Sequence, residues 1–395
     1  PKGESPARNT AQMIPEYVID QILSKDIVSI IGGEGVSLKR AGVNYECCCP
    51  FHKEKTPSFK VSPVKGIFTC FGCSAKGNAI SFVMMLYNMT FPEAVEYLAK
   101  KLNIEYKAEE LTPEQKEARF RRSRIFEINQ VALEYFRESY KQSLPAQKYA
   151  TKERGFKEET IDNMLIGFAP YKGGFREYAT QKGYKDQLLL DADLVRRSER
   201  DGSLYDTFRG RLMFTIRDRT GNIVGFSGRL MDKENPKKLP KYINTGDTAV
   251  YKKGEHLFAY FESARQAAAV RTMNLVEGNP DAIRMHQIGV DNTVAPLGTA
   301  LTPKQIELIK KVADTVIIIG DMDDAGQKAV VKNAETMLRE GLAVRVMEIK
   351  DNYKDPDDYF RQYSKGYEEL LSNSTTDFIP WLCAHKMEEI GRAHV

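Results

Sequence analysis

The sequence predicts a multidomain protein of the α+β and α/β classes: a small cysteine-rich ribbon, then a mixed and basic α+β part, then a parallel α/β sheet. Three observations carry this prediction. Five of the six cysteines lie between Cys47 and Cys73. Short apolar runs rich in Gly and Arg fill residues 206–254. Beyond residue 264, β-branched runs alternate with helical patterns, which is typical of a mostly parallel sheet covered by helices.

The composition excludes several classes of protein. The chain has 395 residues, which is room for two or three domains, and a formal net charge of +4. With 42% hydrophobic and 28% charged residues it is neither disordered nor fibrous. No run of about 18 apolar residues occurs, and the polar start lacks the apolar core of a secretory signal. We therefore expect a cytoplasmic protein without a membrane partner.

The cysteine cluster has the spacing of a metal site. Cys49-Pro-Phe-His52 and Cys70-Phe-Gly-Cys73 are two pairs with two residues between the ligands, and 17 residues separate the pairs. Four such ligands complete a tetrahedral Zn²⁺ site, and the spacer is long enough for a hairpin. All four positions are filled, which predicts one structural zinc in a ribbon. Free buried thiols are the alternative.

Cys47 and Cys48 complicate the choice of the first ligand. We prefer Cys49, because only Cys49 is separated from His52 by two residues, one of them a Pro. The sequence leaves the roles of Cys47 and Cys48 open.

Acidic residues follow the predicted strands of the parallel sheet. Glu277 ends one strand, Asp321 and Asp323 end another, and Asp355 and Asp357 follow a fourth. Ligands bind at this edge of open α/β sheets, and gathered carboxylates repel one another unless a cation neutralises them. Mg²⁺ uses one or two carboxylates together with phosphate oxygens. Taken alone the signal is weak, because acids at strand ends also cap helices.

The basic charge is concentrated in one segment. Residues 206–254 carry 11 Lys and Arg against 5 Asp and Glu, which leaves a formal charge of −2 for the rest of the chain. A basic groove beside a metal site would hold anionic nucleic acid and triphosphate. A solvated strand face is the alternative.

Longer motifs give these features a family resemblance. Cys49-Pro-Phe-His-Lys-Glu-Lys-Thr-Pro-Ser-Phe59 and Cys70-Phe-Gly-Cys-Ser-Ala-Lys-Gly-Asn78 resemble the zinc-binding domain of bacterial DNA primase of the DnaG type. The segments that resemble its RNA polymerase domain are Arg154-Gly-Phe156, Asp206-Thr-Phe-Arg-Gly-Arg-Leu-Met-Phe214, Gly225-Phe-Ser-Gly-Arg229, Pro240-Lys-Tyr-Ile-Asn244 and Lys253-Gly254. The segments similar to its Toprim part are Val276-Glu-Gly-Asn-Pro-Asp281, Pro296-Leu-Gly-Thr-Ala-Leu-Thr302, Asp321-Met-Asp-Asp-Ala-Gly326 and Asp355-Pro-Asp357.

The resemblance implies roles for named residues. It makes Glu277, Asp321 and Asp323 catalytic and places them at a Mg²⁺ or Mn²⁺ site, with Asp355 and Asp357 as further metal ligands; Asp281 matches another acidic position. It implies that template and nucleotide contacts come from Arg154, Arg209, Arg211, Arg229, Lys241 and Lys253. In the ribbon, the residues that suit a stacking and phosphate surface are Phe51, Phe59, Phe68, Phe71, Lys53, Lys55, Lys60 and Lys65, although Phe51 and Phe68 also suit a small core.

The expected function is that of a DNA-dependent RNA primase. It would bind single-stranded DNA, join ribonucleoside triphosphates into a short primer and leave an RNA–DNA hybrid product. The expected parts are a zinc-ribbon domain (1–108), a linker (109–125), a basic subdomain of the polymerase (126–265), a Toprim catalytic subdomain (266–360), and a helical remnant or artefactual tail (361–395). The replicative helicase is a partner of this family, but we expect its binding domain to be absent from this chain.

Two other functions stay open. A Toprim nuclease or topoisomerase would cleave DNA, although neither explains the ribbon together with the basic motifs. A non-catalytic nucleic-acid binder with a decayed Toprim site is supported by Asn279-Pro280 and Met322, which depart from the family pattern.

Overall fold

The fold is described from a computed structural model. It covers residues 12–13, 15–64, 66–73, 75–87, 89, 91–105, 109–110, 112–232, 238–298, 300–321, 324–349, 353 and 355–393. For residues 12, 13, 16, 109, 110, 324, 325 and 388–393 the backbone alone is described. The chain divides into two compact units, Pro1–Ala118 and Arg119–Val395. Among the described helices, none combines the length and the apolar character that a membrane span requires.

The first unit is the predicted ribbon with helices packed on it. Its strands are β1 (Gln12–Met13), β2 (Lys39–Ala41), β3 (Asn44–Cys47), β4 (Phe59–Ser62), β5 (Ile67–Cys70), β6 (Lys76–Gly77) and β7 (Glu109–Glu110). Its helices are α1 (Glu16–Leu23), α2 (Ile27–Gly32), α3 (Ala79–Tyr87) and α4 (Phe91–Lys101). Strands β2 to β6 form an antiparallel sheet in sequence order. Phe59, Phe68 and Phe82 are fully buried between this sheet and the helices.

Glu34 lies in the Gly-rich turn that follows α2 and bonds to residues of two other helices. Its side chain is 1% exposed and accepts hydrogen bonds from Tyr87 Oη (2.8 Å), Tyr97 Oη (2.9 Å) and Lys101 Nζ (2.8 Å). Burial alone would raise the pKa of Glu34, but these donors hold the pKa below its usual value. The turn therefore has a structural role, tying α2 to α3 and α4.

A 30-residue helix, α5 (Pro113–Gln142), occupies most of the segment assigned above to a linker. Thr112 and Gln115 form a reciprocal capping box, in which each backbone N–H donates to the other side chain. Ile125, Ile128 and Phe136 then bury one face of the helix. The helix thus begins about twelve residues earlier than the apolar pattern indicates, because its first turns are polar all round.

The second unit begins with a mixed α+β part. Its helices after α5 are α6 (Leu144–Lys148), α7 (Glu158–Asn163), α8 (Phe175–Gln181) and α9 (Asp186–Asp191), with one π-helical turn at Tyr149–Glu153. Its strands are β8 (Gly167–Ala169), β9 (Val195–Arg197), β10 (Leu204–Asp206), β11 (Arg211–Arg217), β12 (Ile223–Leu230) and β13 (Tyr242–Asn244). The main sheet is antiparallel in the order β13-β12-β11-β8, and β9 pairs with β10.

The predicted parallel sheet follows. Its strands are β14 (Thr272–Val276), β15 (Thr293–Val294), β16 (Thr315–Ile319), β17 (Ala343–Met347) and β18 (Thr375–Asp377). Its helices are α10 (Tyr260–Val270), α11 (Asn279–Gln287), α12 (Pro303–Lys310), α13 (Asp324–Arg339), α14 (Pro356–Gln362), α15 (Tyr367–Asn373) and α16 (Phe378–Ala393). The order is β15-β14-β16-β17-β18, parallel except for the edge strand β18. The fold class predicted from the sequence is confirmed.

Candidate active site and zinc-binding cluster

Four side chains of the ribbon converge on one point. The ligand atoms of Cys49, His52, Cys70 and Cys73 all lie within 4.8 Å of one another. Cys49 Sγ is 3.8 Å from Cys73 Sγ, and Cys70 Sγ is 3.8 Å from His52 Nδ1. A tetrahedral zinc ion with Zn–S bonds of about 2.3 Å holds its ligand atoms about 3.8 Å apart. The four residues chosen from sequence spacing therefore fit one structural zinc.

Neighbouring groups orient these ligands. Glu54 Oε2 lies 3.1 Å from His52 Nε2, which leaves Nδ1 to face the sulfurs, and Glu54 Oε1 accepts from the Cys49 N–H at 2.6 Å. Burial opposes ionisation of Cys70, but hydrogen bonds from the Cys73 N–H and the Ser58 hydroxyl lower the pKa of this thiol to about 6. The thiolate that a metal requires is thereby favoured.

Gly72 is required by this packing. A Cβ at this position would lie 2.6 Å from His52 Nε2, so only glycine lets the second turn approach the imidazole. Cys47 and Cys48 lie outside the four-residue group. Cys47 is half-buried, and burial raises its pKa to about 11, whereas Cys48 is exposed.

The ribbon leaves one described phenylalanine open for stacking. Phe59 and Phe68 are fully buried, and Phe51 packs against both with ring centroids 5.8–5.9 Å apart. Phe71 is 71% exposed, and Lys60 Nζ lies 5.7 Å from its ring. The predicted stacking surface thus reduces to Phe71 with Lys60, since the other three rings build the core. Lys65 lies outside the described residues.

The parallel sheet brings two of the predicted acids to one edge. Val276 and Ile319 are register partners, so Glu277 and Asp321 follow neighbouring parallel strands at the same end. Glu277 Oε1 accepts a hydrogen bond from the Asp321 N–H at 2.9 Å. A Cβ on Gly326 would lie 2.8 Å from Glu277 Oε1 and 2.5 Å from the Asp321 carbonyl oxygen, so glycine is needed where α13 approaches the pair. Asp323 lies outside the described residues.

Asp281 is the buried acid beside this pair. One of its carboxylate oxygens accepts from the Gly278 N–H and the other from the Asp357 N–H, each at 3.1 Å. Burial, and then the charges of Asp355, Asp321 and Asp357, raise the pKa of Asp281 well above its usual value. Burial is the main cause and the neighbouring acids add to it, so a bound cation would ease the crowding of carboxylates at this edge.

Asp355 and Asp357 have different surroundings. Asp355 is half-buried and caps α14, accepting from the Asp358 N–H at 2.8 Å. Asp357 is 2% exposed and is paired with three arginines: Arg284 Nε at 2.9 Å, Arg361 at 3.3 Å, and Arg154. Three guanidinium groups thus compete with any cation for the Asp357 carboxylate, and its role as a metal ligand stays a prediction.

A divalent cation at this sheet edge stays a prediction. Within the described part of the chain, only the Cys and His residues of the ribbon form a group of three or more ligands compact enough for an ion. Mg²⁺ does not need such a group, because one or two carboxylates with substrate phosphate oxygens suffice. Glu277 and Asp321 are the two described acids predicted to supply those carboxylates.

The six predicted basic contacts lie in distinct environments. Arg211 is 3% exposed and donates to the backbone carbonyls of Gly228, Pro240 and Lys241, so its role is to hold the β12–β13 connection. Arg209 is exposed and lies over Tyr205, with its guanidinium carbon 5.1 Å from the ring centre.

Three of the other predicted contacts, Arg154, Arg229 and Lys241, line one groove of about 580 Å³. It is lined by Tyr149, Glu153, Arg154, Arg229, Leu230, Met231, Asp232 and Lys241. Lys253 is half-buried. It lies near Gly298, which belongs to the loop after β15. The π-helical turn brings Tyr149 into the groove, and no sequence signal marked that residue.

Comparison with known proteins follows the same division of the chain. Three family models match: CHC2 zinc finger over residues 14–114, DNA primase catalytic core, N-terminal domain, over 135–264, and Toprim-like over 274–360. The DNA primase of Pasteurella multocida is 38% identical over 376 residues, which are 91% of this chain and 62% of that protein. The chain thus spans less than two thirds of the length of this relative.

Solved structures extend the comparison to the fold. The Aquifex aeolicus primase, comprising zinc-binding and RNA polymerase domains, matches with a TM-score of 0.62 and 32% identity, over 95% of this chain and 89% of that one. A DnaG primase catalytic domain bound to single-stranded DNA matches with a TM-score of 0.57 and 29% identity, over 65% of this chain and 80% of that one. The zinc-binding cluster, the antiparallel sheet with its groove and the parallel sheet follow one another along the chain in the order of the three matching family models. The chain belongs to the bacterial DnaG-type DNA primase family.

Proposed function

We propose that this chain synthesises short RNA primers on single-stranded DNA. The observation that carries the proposal is the placement of Glu277 and Asp321 at one edge of the parallel sheet, in the same compact unit as a groove lined by Arg154, Arg229 and Lys241. A cation site in the same unit as this basic groove suits a reaction in which template and triphosphates are all anionic.

Glu277 and Asp321 would hold Mg²⁺ or Mn²⁺, together with Asp323 outside the described residues. When bound, such an ion activates the attacking 3′-hydroxyl and stabilises the leaving pyrophosphate. The protein supplies the rest by positioning: the Asp321 N–H fixes the Glu277 carboxylate, and the basic groove holds phosphates. One nucleotide's 3′-hydroxyl then joins the α-phosphate of the next, and no side chain acts as a nucleophile.

Zinc in the ribbon would have a structural role, and the exposed Phe71 with Lys60 would contact single-stranded template. The DnaG primase catalytic domain whose structure was solved bound to single-stranded DNA supports this choice of partner. The product would be an RNA–DNA hybrid. A replicative helicase is the expected partner of the family as a whole.

Incorporation of labelled ribonucleotides on single-stranded DNA with Mg²⁺ or Mn²⁺ tests the proposal. We expect primers from the unaltered chain and a loss of about 100-fold or more in Asp321→Ala, with DNA binding retained. Asp314→Ala is the matched control, because Asp314 precedes the opposite end of the same strand and is 68% exposed in its side chain.

Other outcomes would contradict the proposal. Cleavage of labelled DNA without ribonucleotide incorporation would indicate a Toprim nuclease or topoisomerase. Intact DNA binding with neither activity in the unaltered chain would indicate a non-catalytic binder.

A further inference from the structure

Arg229 and Arg154 line the same groove but are held in different ways. Arg154 is paired with the buried Asp357, so its positive charge is largely balanced within the protein. Arg229 has no ion pair among the described residues. Its guanidinium donates from Nε to Tyr149 Oη at 2.8 Å and from a terminal nitrogen to Tyr242 Oη.

The local structure brings these three side chains together. Arg229 in β12 is the register partner of Tyr242 in β13, so the two face each other across an antiparallel pair. The guanidinium carbon also lies 5.3 Å from the centre of the Tyr242 ring. Tyr149 comes from the opposite side, at the first position of the π-helical turn, whose last hydrogen bond runs from the Arg154 N–H to the Tyr149 carbonyl at 2.9 Å.

Phenols differ from carboxylates as partners of an arginine. A phenol oxygen accepts a hydrogen bond and fixes the guanidinium plane, but it brings no negative charge. Burial raises the pKa of Tyr242 to about 12, against the opposing effect of Arg229, so this phenol stays neutral under physiological conditions. Arg229 is therefore held in place with its full positive charge available to an anion in the groove.

We propose that Tyr149 and Tyr242 are positioning residues that fix the guanidinium of Arg229 for a phosphate group bound in this groove. The inference rests on the proposed function for its choice of phosphate source, which is a ribonucleoside triphosphate or the template backbone. Arginine binds phosphate through two parallel N–H groups, and a guanidinium fixed in advance loses less conformational freedom on binding.

Equilibrium dialysis with ATP and Mg²⁺ tests the inference in the full chain, without template. Tyr149→Phe and Tyr242→Phe each remove one hydroxyl, and we expect each to weaken ATP binding about 5- to 10-fold. Tyr184→Phe is the control, because its hydroxyl donates to Glu127 at 2.7 Å, away from the groove, and we expect unchanged binding. Fluorescence anisotropy with labelled single-stranded DNA, run in parallel, separates a template phosphate from a triphosphate.

A double-mutant cycle distinguishes positioning from a general structural role. The Arg229→Lys variant has an ammonium group that cannot bond both phenols in a fixed plane. In this background, each Tyr→Phe change should therefore weaken ATP binding by less than a further 2-fold. Unchanged binding of both ligands in the Tyr→Phe variants would overturn the inference. Equal losses in both backgrounds, or losses that follow a fall in thermal stability, would overturn it too. If the chain binds ATP in a way that depends on the two phenols and still makes no primers, that result would leave this inference standing and would refute the proposed function instead.

Discussion

Asp357→Asn removes the central charge of a buried ion cluster while keeping the size of the side chain. Asp357 and Arg284 are each 3% exposed in their side chains and are 2.9 Å apart, whereas Arg154 and Arg361 are 17% and 38% exposed. We therefore expect this residue to stabilise the second unit by joining α11 and α14 to the turn that carries Arg154.

The magnitude follows from these exposures. Removing one partner of a buried pair costs about 3–5 kcal/mol, because the other charge is left in the interior. Arg284 keeps the carbonyl oxygens of Arg154 and Gly155 as acceptors, which favours the lower end of this range. The more exposed arginines add little. We expect the free energy of unfolding to fall by about 3 kcal/mol, and Tm to fall by roughly 6–12 °C at about 2–4 °C per kcal/mol.

The assay uses the single tryptophan of the chain. Trp381 is 4% exposed in the second unit and donates to Glu348 Oε1 at 2.7 Å, so its fluorescence reports unfolding of that unit. Urea unfolding without added metal would compare Asp357→Asn with Asp377→Asn, whose carboxylate is 77% exposed and 3.5 Å from Arg345. The control should lose less than about 1 kcal/mol.

Equal stability of Asp357→Asn and Asp377→Asn would refute the reasoning. If Asp357→Asn instead needed more Mg²⁺ for primer synthesis without any loss of stability, Asp357 would be a metal ligand after all, as the family resemblance implies.

Three further predictions concern other parts of the molecule. Cys70→Ser should abolish stoichiometric zinc binding and make residues 39–77 sensitive to protease, because the zinc ligands join both turns of the ribbon. Cys383→Ser is the control. A ribbon that stayed protected from protease in Cys70→Ser would contradict the structural role of zinc. Phe71→Ala should weaken single-stranded DNA binding by about 1–3 kcal/mol in a fluorescence titration, whereas Ile67→Ala, at a residue that is 40% exposed, should not; equal losses would argue against stacking. Asp218→Asn should cost about 1 kcal/mol in urea unfolding at pH 7, because hydrogen bonds from Thr220 and Asn222 outweigh burial and lower the pKa of this carboxyl. Stability from a lowered pKa is present above the usual value of 3.8 and is lost as the pH falls through the folded value, so the difference from the unaltered chain should shrink below about pH 4; a constant difference would show that charge is not its source.

The sequence by itself determined the local chemistry of this protein. The spacing of Cys49, His52, Cys70 and Cys73 predicted the zinc cluster, because two-residue spacers restrict how ligands can turn toward one ion. The alternation of strands and helices placed Glu277 and Asp321 at one sheet edge, because parallel strands end together. The first follows from spacing along the chain, and the second from a topology that the alternation of strands and helices specifies.

Only the tertiary structure decided which charges are available for binding. Arg154, Arg211 and Arg229 look alike in the sequence, yet Arg154 pairs with Asp357, Arg211 is bound to backbone carbonyls, and Arg229 is held by the hydroxyls of two tyrosines. Asp357 likewise proved to be surrounded by arginines, although it follows a predicted strand just as the other acids do. The partners of these side chains are up to 203 residues away along the chain. The availability of a charge depends on burial and on such distant partners, and neither is fixed until the chain has folded.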